Sequence, residues 1–422
     1  MGKIKYAGLF TLLIFIGKSF AQNTENISLA MLIEKAFQQN PQIEIARQRY
    51  EATKAKIPQA ASLEDPQFEY KYDKMTASMD AVMQGKTGPM RTFGISQEIP
   101  FPTKLILRTQ IAVKESQMAY EDYKEKEKDI ISQVKRLYAE LALIYKSIEI
   151  TQENKVLLEQ LAKTASTQYS LGKVSQQDAL KAQLEIAKMD NELIMLEQRR
   201  QVTQAKLNVL LNQEPSTELG RPEFIEETDY NFDLVNLNRV SKENRSELRS
   251  FRLSVERARK IYSLAKQEYL PNFMVKYERM ERDSDLTDWA GMVGMTLPLW
   301  FWQKQNFNVK EMHKELKAME SEFKNKENMV LLEVKDAFSN VEALKKLAIL
   351  FKTAYLPQAE QTLKSSLIGY EANQIDFLNL LDSQRMLLEF KLDYFKALVD
   401  LEISLAELER AVGTHLERSG GQ

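Results

Sequence analysis

Methionine is the residue type in this sequence whose placement could do chemistry. Met75, Met79, Met83 and Met90 fall in or beside one predicted loop, and Met274, Met280, Met292 and Met295 fall in a second stretch far downstream. Thioether sulfurs are soft donors that suit Cu(I) or Ag(I), so the first four are candidate metal contacts. For any one of them taken singly, a flexible apolar filler is the favoured reading. Other chemistry has little footing. There is no Cys, which removes disulfides and thiolate metal sites, and only two His, His313 and His415. No HExxH, GxSxG or Walker pattern occurs. Carboxylates are plentiful, but in runs such as Lys124 to Lys128 they read as solvated helix faces. The reading is of a protein that is not an enzyme and needs no cofactor. Its 58 basic residues against 60 acidic ones leave no footprint for nucleic acid.

The elements that would carry these residues are long and appear twice. Ile130, Val134, Leu137, Leu141, Ile144 and Ile148 recur at spacings of four and three. Val330, Val334, Ala337, Val341, Leu344 and Ala348 repeat that register at an offset of 200 (330 − 130). A second pair runs from Ala182 to Leu210 and from Ser383 to Ala411, offset by 201 (383 − 182). Such spacing keeps an apolar seam on one side of a helix, as coiled-coil packing requires. Each copy predicts a helical hairpin, 103–212 and 303–412. The first breaks at Leu171-Gly172-Lys173 and the second at Tyr370-Glu371-Ala372-Asn373. Gly172 and Asn373 accept the left-handed conformation that ends a helix, and Ser175 and Asp376 are N-cap types. The outgoing helices, from about Thr103 to Gln168 and from about Gln303 to Leu367, would each span roughly 100 Å. That is too long for an ordinary globular core.

Ahead of each helical hairpin the period changes to two. The segments 66–99 and 271–298 read as β-hairpins, opened by Pro66 and Pro271. In the second, Trp289, Val293, Met295 and Leu297 share one face, while Ala290, Gly294 and Thr296 share the other. A greasy face opposite a polar or small one is what a membrane barrel needs, although a half-buried soluble sheet alternates in the same way. Four strands cannot enclose a lumen. Three chains would supply twelve, so closure implies a homotrimer. Residues 1–21 have the layout of a secretory signal: Lys3 and Lys5, an apolar run from Tyr6 to Ile16, and Ser19-Phe20-Ala21. No Cys follows to accept a lipid, and no later run is long enough for a membrane helix. The corners Ile99-Pro100-Phe101-Pro102 and Leu297-Pro298-Leu299-Trp300-Phe301-Trp302 read as an interfacial belt.

Tyr169-x-x-Gly172-x-x-x-x-x-Asp178-Ala179-Leu180-x-Ala182-Gln183 resembles the helix-tip motif of the TolC family of outer-membrane efflux proteins. Tyr370-x-x-Asn373-x-x-x-x-x-Asn379-Leu380-Leu381-Asp382-Ser383-Gln384 repeats it. The proline corners and Asn40-Pro41-Gln42-Ile43 look like that family too, over residues 27 to 413. The resemblance implies a mainly α fold with a transmembrane β part. In it a trimeric α-helical barrel would continue into a 12-stranded outer-membrane β-barrel, with repeats at 27–213 and 244–413 and an equatorial segment at 214–243; the tail at 414–422, with Ser419-Gly420-Gly421, reads from its own residues as disordered. It further implies an exit duct in the outer membrane of a Gram-negative bacterium, reaching into the periplasm. That duct would work with a periplasmic adaptor and an inner-membrane pump of the RND type. The implied adaptor-facing tips are Tyr169, Gly172, Asp178, Tyr370, Asn373 and Asp376. The implied gate positions are Asn379 and Asp382, where one of the family's two carboxylates is missing. A solvated helix-turn Asp is the plain alternative for Asp382. The methionines favour the heavy-metal branch, with cations such as Cu(I) or Ag(I) as cargo; drug or polypeptide export, or a soluble periplasmic scaffold, are the rival readings.

Overall fold

The computed structural model describes residues 26–74, 79, 83, 89–223, 230–282 and 286–416. The stretch read as a secretory signal, Met75 and residues 417–422 of the tail lie outside the described residues. Two short helices open the described chain, α1 (Leu29–Gln39) and α2 (Pro41–Ala61). Heptad periodicity does not predict them; their caps do the specifying. The Ser28 hydroxyl accepts from the Met31 N–H, and Asn40 accepts from the N–H groups of Gln42 and Ile43. Pro41 sits at the first helical position, where no donor is needed.

Strands β1 (Gln67–Asp73) and β2 (Met90–Ile99) follow, then α3 (Pro102–Ser170) and α4 (Gln176–Leu210). The second copy has the same order: α5 (Leu234–Asn244), α6 (Ser246–Gln267), β3 (Asn272–Arg282), β4 (Leu286–Thr296), α7 (Gln305–Leu350), α8 (Leu356–Glu371) and α9 (Phe377–Val412). At 69 residues, α3 is about 100 Å long. The heptad positions form the core: Ile130, Val134 and Leu141 in one cluster, Val330, Val334 and Val341 in another, all fully buried. A third cluster, with Leu158, Leu161, Tyr370, Phe377 and Leu380, joins the two helical hairpins at their tips.

The second outgoing helix differs from its expected form. The sequence predicts one continuous helix from about Gln303 to Leu367, but a π-turn at Phe351–Tyr355 separates α7 from α8. Pro357 is the cause we assign, because it lacks an N–H and its ring collides with the carbonyl four residues back. Widening one turn relieves that collision. The first copy has Leu157 at this position (357 − 200), and α3 runs unbroken. Phe351, Tyr355 and Phe390 sheathe the widened turn, with Tyr355 stacked on Phe390 at 5.0 Å.

The strands form one antiparallel sheet in the order β1-β2-β3-β4. β2 joins β3 with Phe93 opposite Arg279, Ile95 opposite Tyr277 and Ile99 opposite Phe273. One face therefore gathers Phe68, Tyr70, Tyr72, Ile95, Tyr277, Trp289 and Val293, all exposed, and toward its loop end it also carries Arg91, Arg279 and Glu281. Among the described residues, no helix covers them. The opposite face carries Glu69, Lys276 and Glu278, with Lys276 Nζ at 2.6 and 2.8 Å from the two carboxylates. Gly94 makes room for this knot: a Cβ there would stand 3.4 Å from the Lys276 Cε.

Candidate functional site

Three places carry the polar side chains that distinguish this fold: the sheet, the level where the two repeats meet, and the helix tips. At the sheet, Met90 lies at the loop end of β2, and Met79 and Met83 are exposed in the preceding segment. Beyond the helical end of β4, Leu299, Trp300, Phe301 and Trp302 are exposed, with Trp302 edge-on to both of its neighbours. That gives amphipathic rings at one rim of the apolar band, the arrangement expected at a membrane boundary.

Where the repeats meet, the run Lys124 to Lys128 corrects the expectation of a solvated face. Glu127 is buried, and Glu125 and Lys128 turn toward the α5–α6 junction. Arg245 occupies that junction at 2 % exposure. Its guanidinium lies 3.2 Å from Glu125 of α3, 3.4 Å from Glu247 of α6 and 3.4 Å from Glu333 of α7, and it donates to the Arg410 carbonyl of α9. One cation thus ties together four helices. Burial raises the Glu125 carboxyl above its ordinary value, Arg245 pulls it back, and Asp129 pushes it up again. Burial likewise lowers the Lys128 ammonium.

Gly413 closes α9 against the same junction at φ +82°, and a Cβ there would stand 2.8 Å from the Asn244 carbonyl oxygen. Both backbone and space demand glycine. Gly413→Ala is therefore expected to lower stability by about 1–3 kcal/mol, read as a fall in the thermal midpoint, whereas Gly172→Ala should cost only about 1 kcal/mol. Gly172 also has positive φ, but nothing lies within 4 Å of its missing Cβ.

At the tips the structure brings the sequence candidates together. Gly172 (φ +71°) and Asn373 (φ +54°) end their helices in the left-handed region. Ser175 and Asp376 cap the returning helices, Asp376 accepting from the Asn379 N–H at 2.9 Å. Burial first, and then Asp376, hold the Asp178 carboxyl above its usual range, so the two hairpin tips are neighbours. Tyr370 is 2 % exposed and packs on Phe377 at 5.3 Å, whereas its counterpart Tyr169 is exposed. Tyr370 thus serves the core as much as any surface.

Asn379 and Asp382 both face outward from α9. Asp382 has a neighbour that sequence reasoning missed: Arg385 Nη1 stands 3.2 Å from its carboxylate. The same guanidinium reaches Glu185 of α4 at 2.5 Å. Burial alone would raise Glu185, but bonds from Arg385 and Lys188 hold it below the ordinary carboxylate value. Arg385 lies one helical turn beyond Asp382, and that i,i+3 spacing was the available signal.

A long helical duct wall carrying an uncovered amphipathic sheet defines a class, the protomer of an outer-membrane channel, and comparison gives the family. The profile of the outer membrane efflux protein family matches residues 32–213 and 238–414. The chain belongs to that family, whose members are channel proteins rather than enzymes. The cobalt-zinc-cadmium resistance protein CzcC of Cupriavidus metallidurans is 21 % identical over 291 residues, 68 % of each chain. The solved outer membrane protein VceC of Vibrio cholerae superposes with a TM-score of 0.77 at 18 % identity, covering 92 % of this chain and 97 % of its own. The solved channel CusC gives 0.79 at 14 % identity, covering 92 % of both. The chain is thus an outer-membrane efflux protein of the TolC family with a channel-protomer fold.

Proposed function

We propose that three copies of this chain form the outer-membrane exit duct of a tripartite efflux system that passes heavy-metal cations from the periplasm to the exterior. The observation that carries the reading is a four-stranded sheet with one aromatic face, one charged face and edge strands β1 and β4 that have no partner on their outer sides among the described residues. An open edge and a bare apolar face are both costly, and closure of twelve strands in lipid removes both. The helices support the same ring. Met195, Val202 and Val209 on α4, and Met329 and Leu332 on α7, are exposed apolar residues on the outermost helices of the chain, where a neighbouring copy would cover them.

In this reading residues 1–21 direct secretion and the tips at 169–178 and 370–379 meet a periplasmic adaptor fed by an RND-type pump. Asp382 lines the narrow end with Arg385 as a counter-charge, which makes it a weaker cation ring than two free carboxylates. The cargo assignment draws on the relative whose name includes cobalt, zinc and cadmium resistance.

Reconstitution tests the duct. The purified protein should be a trimer and conduct ions across a planar lipid bilayer; a non-conducting, water-soluble monomer would refute it. For cargo, a deletion strain should lose metal tolerance. Sensitivity to detergents or dyes with unchanged metal tolerance would point instead to drug export.

A further inference from the structure

Five methionines lie in the strands, and the register divides them. Met295 falls on the aromatic face, opposite Phe273. Met90, Met274, Met280 and Met292 all fall on the other face, in the rows that hold Arg282, Glu98, Thr92 and Lys276 respectively. Among the described side chains of that face, no other is bulky and apolar. Met292 is 51 % exposed and Met274 39 %. As gap-fillers they would be misplaced, because a water-facing wall has no void to fill and the alternation of the strands calls for polar residues there.

The four fall into two pairs. Met274 pairs with Gly294, and Met292 is its diagonal neighbour on β4, opposite Lys276. The Met274 methyl lies 3.5 Å from where a Gly294 Cβ would be, so this side chain lies across the strand that carries Met292. Met280 pairs with Thr92 and is the diagonal neighbour of Met90 on β2. Same-face diagonals of about 7–8 Å are within reach of long side chains. The surrounding charge is balanced, with Asp73 and Arg282 opposite Met90 and Lys71 opposite Thr92, so the sulfurs and not the field would select the ion. Lys276 is neutralised by Glu69 and Glu278, and Asp288 stands opposite Met280.

We propose that Met274 with Met292, and Met90 with Met280, are two thioether sites for a soft univalent cation, Cu(I) or Ag(I), on the lumen wall of the β-barrel. This rests on the exit-duct reading, which makes that face the lumen, and it gives the Cu(I) or Ag(I) cargo expected from the sequence a place on the wall, in preference to the cobalt, zinc and cadmium of the relative's name. Each pair would recur three times around the barrel. Two thioethers hold such an ion loosely, which lets it enter and leave.

The test uses the full-length protein in detergent with Ag(I) alone as probe. Met→Leu at all four positions keeps volume and hydrophobicity, and Met295→Leu is the control. The native protein and the Met295→Leu protein should bind silver saturably, and the quadruple variant should lose about one ion per pair. Silver should also slow peroxide oxidation of the four methionines and leave Met295 unprotected. Equal silver binding by the native and quadruple proteins, or equal protection of Met295, would overturn the sites. Bilayer conductance separates the two claims. A channel that conducts but shows no silver loss in the quadruple variant removes the sites and keeps the duct, while silver binding without conductance does the reverse.

Discussion

Arg245→Ala is expected to lower the stability of the folded chain by about 3–5 kcal/mol, the range for removing one partner of a buried ionic cluster. The guanidinium is 2 % exposed and its three carboxylate neighbours come from α3, α6 and α7. Alanine would leave Glu125 and Glu333 without this cation, Glu247 with Lys326, and the Arg410 carbonyl without this donor. Glu125→Gln in the same chain should recover part of the loss. Arg245→Lys should recover less than its charge suggests, because a point charge cannot span carboxylates on separate helices as a planar fork does.

Acidity supplies a second readout. The folded pKa of Glu125 lies above its unfolded value. A raised folded value means that the protonated carboxyl favours the fold. Its stabilising contribution is fully present below the unfolded value of 4.5 for Glu125 and is lost as pH rises through the folded value. Without Arg245 that folded value rises further, so the penalty of the alanine variant should shrink as pH falls from neutrality toward 4.5. Thermal midpoints of the detergent-solubilised protein across that range would check it. A variant that melts with the native protein at neutral pH would contradict the account.

The parts of this structure that were legible in the sequence are those fixed by spacing along one segment. Ile130, Val134 and Leu141 announce their burial by heptad position, and Gly172, Ser175, Asn373 and Asp376 announce the turns by residue type. The rest depends on which segments meet. Arg245 shows no periodicity, and its partners are up to 165 positions away, so a buried four-helix tie reads as a surface charge. Lys124 to Lys128 misleads for the same reason. Pro357 was visible but ambiguous, since a proline can end a helix, kink it or be absorbed by a wider turn. The methionines are intermediate. Strand parity separates Met292 from Met295 in the sequence, but which parity faces water needs the whole sheet.

The other large effect concerns that sheet. Ile95→Arg and Val293→Arg should each cost about 2–4 kcal/mol of membrane assembly, because both lie on the helical side of Arg91, Arg279 and Glu281, the charges this face carries toward its loop end. Ile95 shares the central row with Tyr277, and Val293 stands one row away, opposite Val275. Tyr72→Arg should cost only about 0–1 kcal/mol, since Tyr72 pairs with Arg91 near the loop end, where a charge already exists. Ser96→Arg should be tolerated, because it follows Ile95 on the opposite face beside Lys276. The depth dependence and the contrast between faces are what discriminate. Val293 is 79 % exposed in the single chain, so in a sheet that faced water an arginine there would be harmless. The fraction of each variant recovered as heat-resistant trimer after folding into lipid vesicles measures the order. Equal recovery of Ile95→Arg and Ser96→Arg would remove the lipid from one face and the lumen from the other.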